Sequence, residues 1–252
     1  LSPSDAALLS DPNNTLGIEY GRALLRVGAA PALFTIPRTG AAHDATPENA
    51  GGYSASAIRH LLAEGRRADA LSRMVPAMRT VYEVEEAAGR APVFAAACGR
   101  AILARLRSMT PAEFDALDTG HEGVGQRLYN ASRNAATLDA VLDNAKTKRY
   151  AYARLRRMVL WAYLGLSPAE LPASVPYLRV LAANETGRAL LGRMRKTARF
   201  PVITKPAAIR SLSPDSQRLF ETESRAADLY ALAYPELTEA CGSLWRQNPV
   251  MP

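Results

Sequence analysis

Two stretches of this 252-residue chain carry residue types suited to chemistry on phosphate. The first is Ser54-x-Ser56-x-x-Arg59. Hydroxyls and free N–H groups at a helix start make an anion site, and an arginine one turn in adds a fork of donors. The same residues suit a plain serine N-cap followed by a surface arginine, and spacing alone favours that plainer reading. The second stretch, Lys146 to Arg157, holds six cations and two tyrosines, Tyr150 and Tyr152, in twelve residues. Cations bind phosphates, and tyrosines stack on unpaired bases. Against this stands a face of buried tyrosines whose cations are solvated or serve nearby carboxylates such as Asp139 and Asp143. A further basic run, Arg188 to Arg210, contains no acid, which lifts the nucleic-acid reading above the plainer one. Asn13-Asn14 ahead of a helix carries the same ambiguity between an anion site and an ordinary cap.

Other chemistry is poorly supported. His43, His60 and His121 are isolated, with no His-x-x-His or His-x-x-x-His pair, so a helix-borne metal site is not expected. His43-Asp44 in a Gly/Ala-rich loop is placed where function often sits, but reads first as a solvated loop pair, and His60 reads as helix surface. Cys98 and Cys241 lie far apart, which excludes a disulfide scaffold and a cysteine zinc site. Neither a Walker motif nor Gly-x-Gly-x-x-Gly occurs. The cluster Gly120-x-x-Gly123-x-Gly125 follows no strand and is discounted as a dinucleotide site.

The charge distribution points the same way as the basic runs. The chain carries a formal net charge of +7, yet from Lys146 to Arg210 there are 14 basic and 2 acidic residues, a net of +12. The remainder is therefore mildly acidic, at −5. Such a split suggests a polyanion partner. Composition is ordinary for a globular protein, with 48 % hydrophobic and 22 % charged residues. The longest apolar stretch, Met158 to Leu166, is far short of the roughly 20 residues a membrane span needs. Asp5, Asp11 and Glu19 interrupt any signal-peptide core, so the chain is read as cytoplasmic with both thiols reduced.

The elements that must position these residues are mostly helices. Pro12-Asn13-Asn14 leads into a helix-like pattern through Val27, with Gly28 as its C-cap. Leu33-Phe34-Thr35-Ile36 reads as a short strand closed by Pro37, at the edge of an incomplete sheet. Residues 40–52 read as a loop, and a helix carrying Ile58, Leu61 and Leu62 follows Ser54. Beyond about residue 67 the pattern is almost wholly helical. Thr110-Pro111-Ala112-Glu113 is a capping box, and Ser167-Pro168-Ala169-Glu170 repeats it. A helix spans Ala151 to Leu166, another opens at Ser213-Pro214, and Phe200 to Thr204 is β-rich. The fold class expected is mainly α. Residues 1–65 are an α/β piece too short to close a sheet, which either packs on the helical part or is the tail of a larger domain, and residues 66–252 are a helical, basic domain.

These residues resemble a known family. Pro12 to Tyr20 looks like the P-N-N-x-L-G-x-E-Y element of the bacterial tRNA(Met) cytidine acetate ligases, nucleotidyltransferase-like enzymes of the HIGH superfamily. Ser54-Ala55-Ser56-Ala57-Ile58-Arg59 resembles their S-A-[TS]-x-I-R element. Glu122-Gly123-Val124-Gly125-Gln126-Arg127 resembles E-G-L-x-N-R, with Gly125 and Gln126 departing from the usual residues. Lys146 to Arg157 is similar to K-T-K-R-Y-x-x-x-R-x-x-R. Pro176 to Leu181 and Ile203-Thr204-Lys205-Pro206 resemble two more elements, and all six stand in the family's order.

The resemblance implies a Rossmann-like α/β nucleotidyltransferase domain ahead of the helical part. It implies activation of acetate by ATP to acetyl-adenylate and transfer of the acetyl group to N4 of the wobble cytidine of elongator tRNA(Met). ATP is then a substrate, with Mg2+ as its optional companion, and acetate and tRNA are the other partners. On this resemblance ATP contacts fall to Asn13, Asn14, Arg38, Ser54, Ser56 and Arg59. The basic block assigns the tRNA backbone to Lys146, Lys148, Arg149, Arg154 and Arg157, helped by Arg193, Arg195 and Lys196. The family's catalytic His-x-x-His-type motif is absent from these residues, so the chain is read as the C-terminal part of such an enzyme, with no catalytic residue assigned. A second reading is a non-catalytic helical RNA-binding module.

Overall fold

The computed structural model describes residues 9, 12–36, 54–118, 122–237 and 240–251. Arg38, His43, Asp44 and His121 therefore lie outside the described residues, as does the stretch 40–52. Two compact units are present, Leu1–Ala57 and Ile58–Pro252.

In the first unit, helix α1 spans Pro12–Val27 and ends at Gly28, whose positive φ of 64° suits a residue without Cβ. Pro12 occupies the first helical position, where its missing N–H costs nothing. Asn13 and Asn14 therefore sit within the first turn and are not the cap. The expected strand at Leu33–Ile36 is not formed. Residues 29–36 have no ladder partner among the described residues, and Phe34 is 90 % exposed. A β-type composition yields a strand only where a neighbour supplies the other half of each hydrogen bond. Helix α2, Ala55–Ala63, has its first three residues in the first unit and the rest in the second.

The second unit is built on a helical core. After α3 (Arg67–Ser72) and α4 (Pro76–Ala87), five helices wrap one apolar cluster: α5 (Gly99–Ser108), α6 (Pro111–Asp115), α7 (Val124–Asn134), α8 (Leu138–Ala145) and α9 (Tyr152–Leu164). Leu106, Phe114, Leu128, Val141 and Leu155 are completely buried in it. Each such side chain is worth about 1.5–3 kcal/mol relative to exposure. The predicted cap of α6 is present: Glu113 N–H donates to the Thr110 hydroxyl, and the Glu113 carboxylate accepts from Thr110 N–H at 2.7 Å. At Ser167 the same box forms, with Ser167 N–H donating to Glu170 at 2.7 Å, but only a three-residue 3-10 turn, Pro168–Glu170, follows. Pro172 biases Leu171 out of helical geometry, so the box has nothing to propagate.

A second cluster of Tyr177, Ile203, Ile209, Phe220 and Leu244 anchors the remainder. Two two-residue strands, β1 (Leu178–Arg179) and β2 (Val202–Ile203), pair in parallel, Leu178 opposite Val202. Between them runs α10 (Glu185–Thr197), capped by the Asn184 side chain, which accepts from Gly187 N–H at 2.9 Å. Helices α11 (Pro214–Ala231) and α12 (Ser243–Arg246) complete the unit, with Phe220 and Trp245 edge to face at 4.6 Å.

Candidate nucleic-acid interface

The basic block divides physically into two parts. In the first, between α8 and α9, much of the charge is committed inside the protein. Arg154 Nη2 lies 2.7 Å from Asp118 and Nη1 lies 3.0 Å from Glu122, with a further bond from Nε to Asp118 at 3.2 Å. Arg149 approaches Glu122 at 3.4 Å. Tyr150 is buried, and its hydroxyl donates to the Glu122 carbonyl. Lys146 donates to the Thr147 carbonyl at 2.6 Å and stands 5.5 Å from the Tyr152 ring. The carboxylates that hold this run are Asp118 and Glu122, whereas Asp143 accepts from the Tyr152 hydroxyl at 2.6 Å. Lys148 and Arg157 are exposed and pair with no carboxylate among the described residues.

The Glu122-to-Arg127 element explains this commitment. Arg127 donates to the Ala145 and Asn144 carbonyls at 2.8 and 3.0 Å, closing the C-terminus of α8 and setting the direction of Lys146. Gly125 sits against α6 with no room for a side chain: a Cβ there would lie 2.8 Å from both Asp115 Cα and the Phe114 carbonyl oxygen. Glu122, Tyr150 and Arg154 thus share one network with Asp118, and Arg127 separately ties α7 to the end of α8.

Electrostatics of the network set a pH dependence. The hydrogen bond from Arg154, with the charge of Arg149 behind it, holds the Glu122 carboxyl below its ordinary range, while hydrogen bonds to Asp118 first and Glu122 second raise Arg154. The capping bond from Thr110 N–H does the same for Glu113. A carboxylate depressed in the folded state contributes stability that is complete above its unfolded value and is lost as pH falls through the folded value. The melting temperature is therefore expected to drop progressively below about pH 4.3, the unfolded glutamate range. Glu122→Gln should be less stable at neutral pH and show a flatter acid limb. Parallel acid limbs for the variant and the parent would show that the carboxyl is not held this way.

In the second part, the charge is free. Arg193, Arg195 and Lys196 on α10 are exposed, and none pairs with a carboxylate among the described residues. The same holds for Arg188, Arg199 and Lys205. No residue of α10 is buried.

The residues expected at a phosphate site fall on two helix starts. Ser54 acts as the N-cap of α2, its hydroxyl accepting from Ala57 N–H at 3.1 Å. Ser56 lies in the first turn, half-buried, and Arg59 one turn in, exposed. Asn13 and Asn14 share the exposed first turn of α1. His60 faces Glu64 at 3.1 Å on the helix surface. Among the described residues no three His, Cys, Asp or Glu side chains gather to hold a metal ion, and no helix is long and apolar enough to cross a membrane.

The fold and this residue set agree with a family match. Residues 2–243 match the model of the HIGH nucleotidyl transferases, and the chain belongs to that family. Within it, the resemblance to the tRNA(Met) cytidine acetate ligases holds over almost the whole chain. The chain is 32 % identical over 234 residues to the tRNA(Met) cytidine acetate ligase of Alkaliphilus metalliredigens, covering 90 % of this chain and 55 % of that protein. It is 30 % identical to that of Acetivibrio thermocellus, covering 97 % and 61 %. Among solved structures, Thermotoga maritima TmcAL in its apo form superposes with a TM-score of 0.88 at 25 % identity, covering 96 % of this chain and 61 % of that one. The same protein bound with alpha-thio ATP gives 0.87. The chain thus spans roughly three-fifths of the length of these relatives.

The sequence does not single out Phe200, whereas Arg199 and Lys205 fall within the acid-free run Arg188 to Arg210. Phe200 stood inside a β-rich segment, where an aromatic normally turns inward. Its only outward signal was Arg199 before it and Pro201 after it.

Proposed function

We propose that this chain is part of an ATP-dependent ligase that activates acetate as acetyl-adenylate and acetylates N4 of the wobble cytidine of elongator tRNA(Met). The observation that carries the reading is the continuous match over residues 2–243, a span that takes in both the Ser54–Arg59 element and the basic helical part. Residues 1–65 then belong to the nucleotidyltransferase-like α/β domain and 66–252 to the tRNA-binding domain. Asn13, Asn14, Arg38, Ser54, Ser56 and Arg59 contact ATP on this reading, with the Arg59 fork on phosphate oxygens. Mg2+ enters as a companion of the nucleotide phosphates. Lys146, Lys148, Arg149 and Arg157 face tRNA, together with Arg193, Arg195 and Lys196. Arg154 contributes chiefly by ordering the helix that presents them.

The test is an acylation assay with the full-length protein that contains these residues, ATP, labelled acetate and tRNA(Met), read as acetylcytidine in digested tRNA, beside a direct ATP-binding titration. Arg59→Ala should weaken ATP binding and Arg59→Lys should restore it only in part, because lysine keeps the charge and loses the fork. Tight tRNA binding with no ATP binding and no acetyl transfer would favour the non-catalytic RNA-binding module.

A further inference from the structure

The groove between the end of α10 and β2 has the makings of a nucleotide site. It encloses about 820 Å³ and is lined by Leu191, Met194, Arg195, Arg199, Phe200 and Lys205 among others. That volume falls within the roughly 300–1,000 Å³ of small-ligand clefts. Phe200 is 47 % exposed although its neighbour Ile203 is buried. Its backbone is held on both sides: Ala198 N–H closes α10 on the Met194 carbonyl at 2.8 Å, and Leu178 N–H donates to the Pro201 carbonyl at 2.8 Å. A ring so placed is half exposed in the groove on a backbone that is already fixed, so a ligand need not order it. Three cations, Arg195, Arg199 and Lys205, share the groove, and none is spent on a carboxylate among the described residues. From Thr186 to Pro214 the chain has no acid at all.

We infer that this groove docks one unpaired nucleotide of RNA, its base stacked on Phe200 and its flanking phosphates held by Arg195, Arg199 and Lys205. The inference rests on the tRNA reading above and adds a specific subsite to it. An aromatic face beside cations fits a single strand better than a duplex, because a base can leave its own stack only where it is unpaired. The excess of cations argues against an ordinary protein partner, whose contact surface carries both signs. A lipid surface is less well matched, since the aromatic group lines a concave groove.

The experiment measures binding of the 252-residue chain to a labelled single strand of about eight nucleotides, to the corresponding duplex, and to tRNA(Met), across a salt titration. Phe200→Ala should weaken single-strand binding about 5- to 150-fold and leave the salt slope unchanged. Phe200→Leu, which keeps the apolar bulk, should behave like the alanine variant, and Phe200→Tyr like the parent. The pair Arg195→Gln with Arg199→Gln should lower the salt slope by about 1.4 for a single strand. Equal melting temperatures for parent and variants establish that folding is intact. If Phe200→Leu binds as the parent does, or if the parent binds duplex as tightly as single strand, the stacking site is overturned while the tRNA reading stands. If the parent binds no RNA, both fall. Binding of anionic vesicles that depends on Phe200, with RNA binding that does not, would reassign the groove to lipid and overturn the inference.

Discussion

Alanine at Gly125 is expected to lower the unfolding free energy by about 2–3 kcal/mol, at the upper end of overpacking costs. The new Cβ would meet Asp115 Cα and the Phe114 carbonyl, both at 2.8 Å, and these are backbone atoms that cannot swing away. Helices α6 and α7 would have to part, and they carry the completely buried Phe114 and Leu128 on their inner faces. Asp118, just after α6, and Glu122, just before α7, would shift with them, loosening Arg154. Urea unfolding measures the effect. Gly192→Ala in the open middle of α10, where nothing lies within 4 Å, should instead be neutral or stabilising by up to about 1 kcal/mol. An unfolding midpoint for Gly125→Ala equal to that of the parent would show that the α6–α7 contact yields without cost.

Reversal of Arg193, Arg195 and Lys196 to glutamate is expected to weaken tRNA binding by about two orders of magnitude at low salt. Each phosphate contact releases condensed counterions and contributes about 0.7–0.9 to the salt slope, so losing three should flatten it by about 2–3. The loss should be similar for all tRNAs, because phosphate contacts position the RNA without reading its sequence. These three positions give a cleaner test than Lys148 and Arg149. A glutamate at position 149 would stand beside Glu122, 3.4 Å from the present guanidinium, and would disturb the fold as well as the charge. The double Glu variant at 148 and 149 should also weaken tRNA binding, with ATP binding intact. Undiminished tRNA affinity of the α10 triple variant across the titration would reduce that helix to a solvated face.

Much of the local architecture was legible in the residues themselves. The capping box at Thr110, the cap at Ser213 and the glycine at 28 act within one turn of the chain, so their consequences travel with the local sequence. The same is true of the family: six short elements in order identify it, because each is a contiguous string. The acid-free charge of Arg188 to Arg210 is likewise a property of the string alone.

What the chain order left open was decided by distance in space. Arg154 looked as available for RNA as Arg193, yet it is consumed by Asp118, 36 residues away in sequence and 2.7 Å away in the fold. Tyr150 is buried and Phe200 is exposed, the reverse of what a stacking tyrosine and a β-rich segment suggest. Leu33 to Ile36 has strand composition and forms none among the described residues, since a strand is completed only by a neighbour. Coulomb energy, burial and sheet pairing all depend on which atoms come within a few ångströms, and that is set by the packing of helices whose order in the chain does not reveal their neighbours.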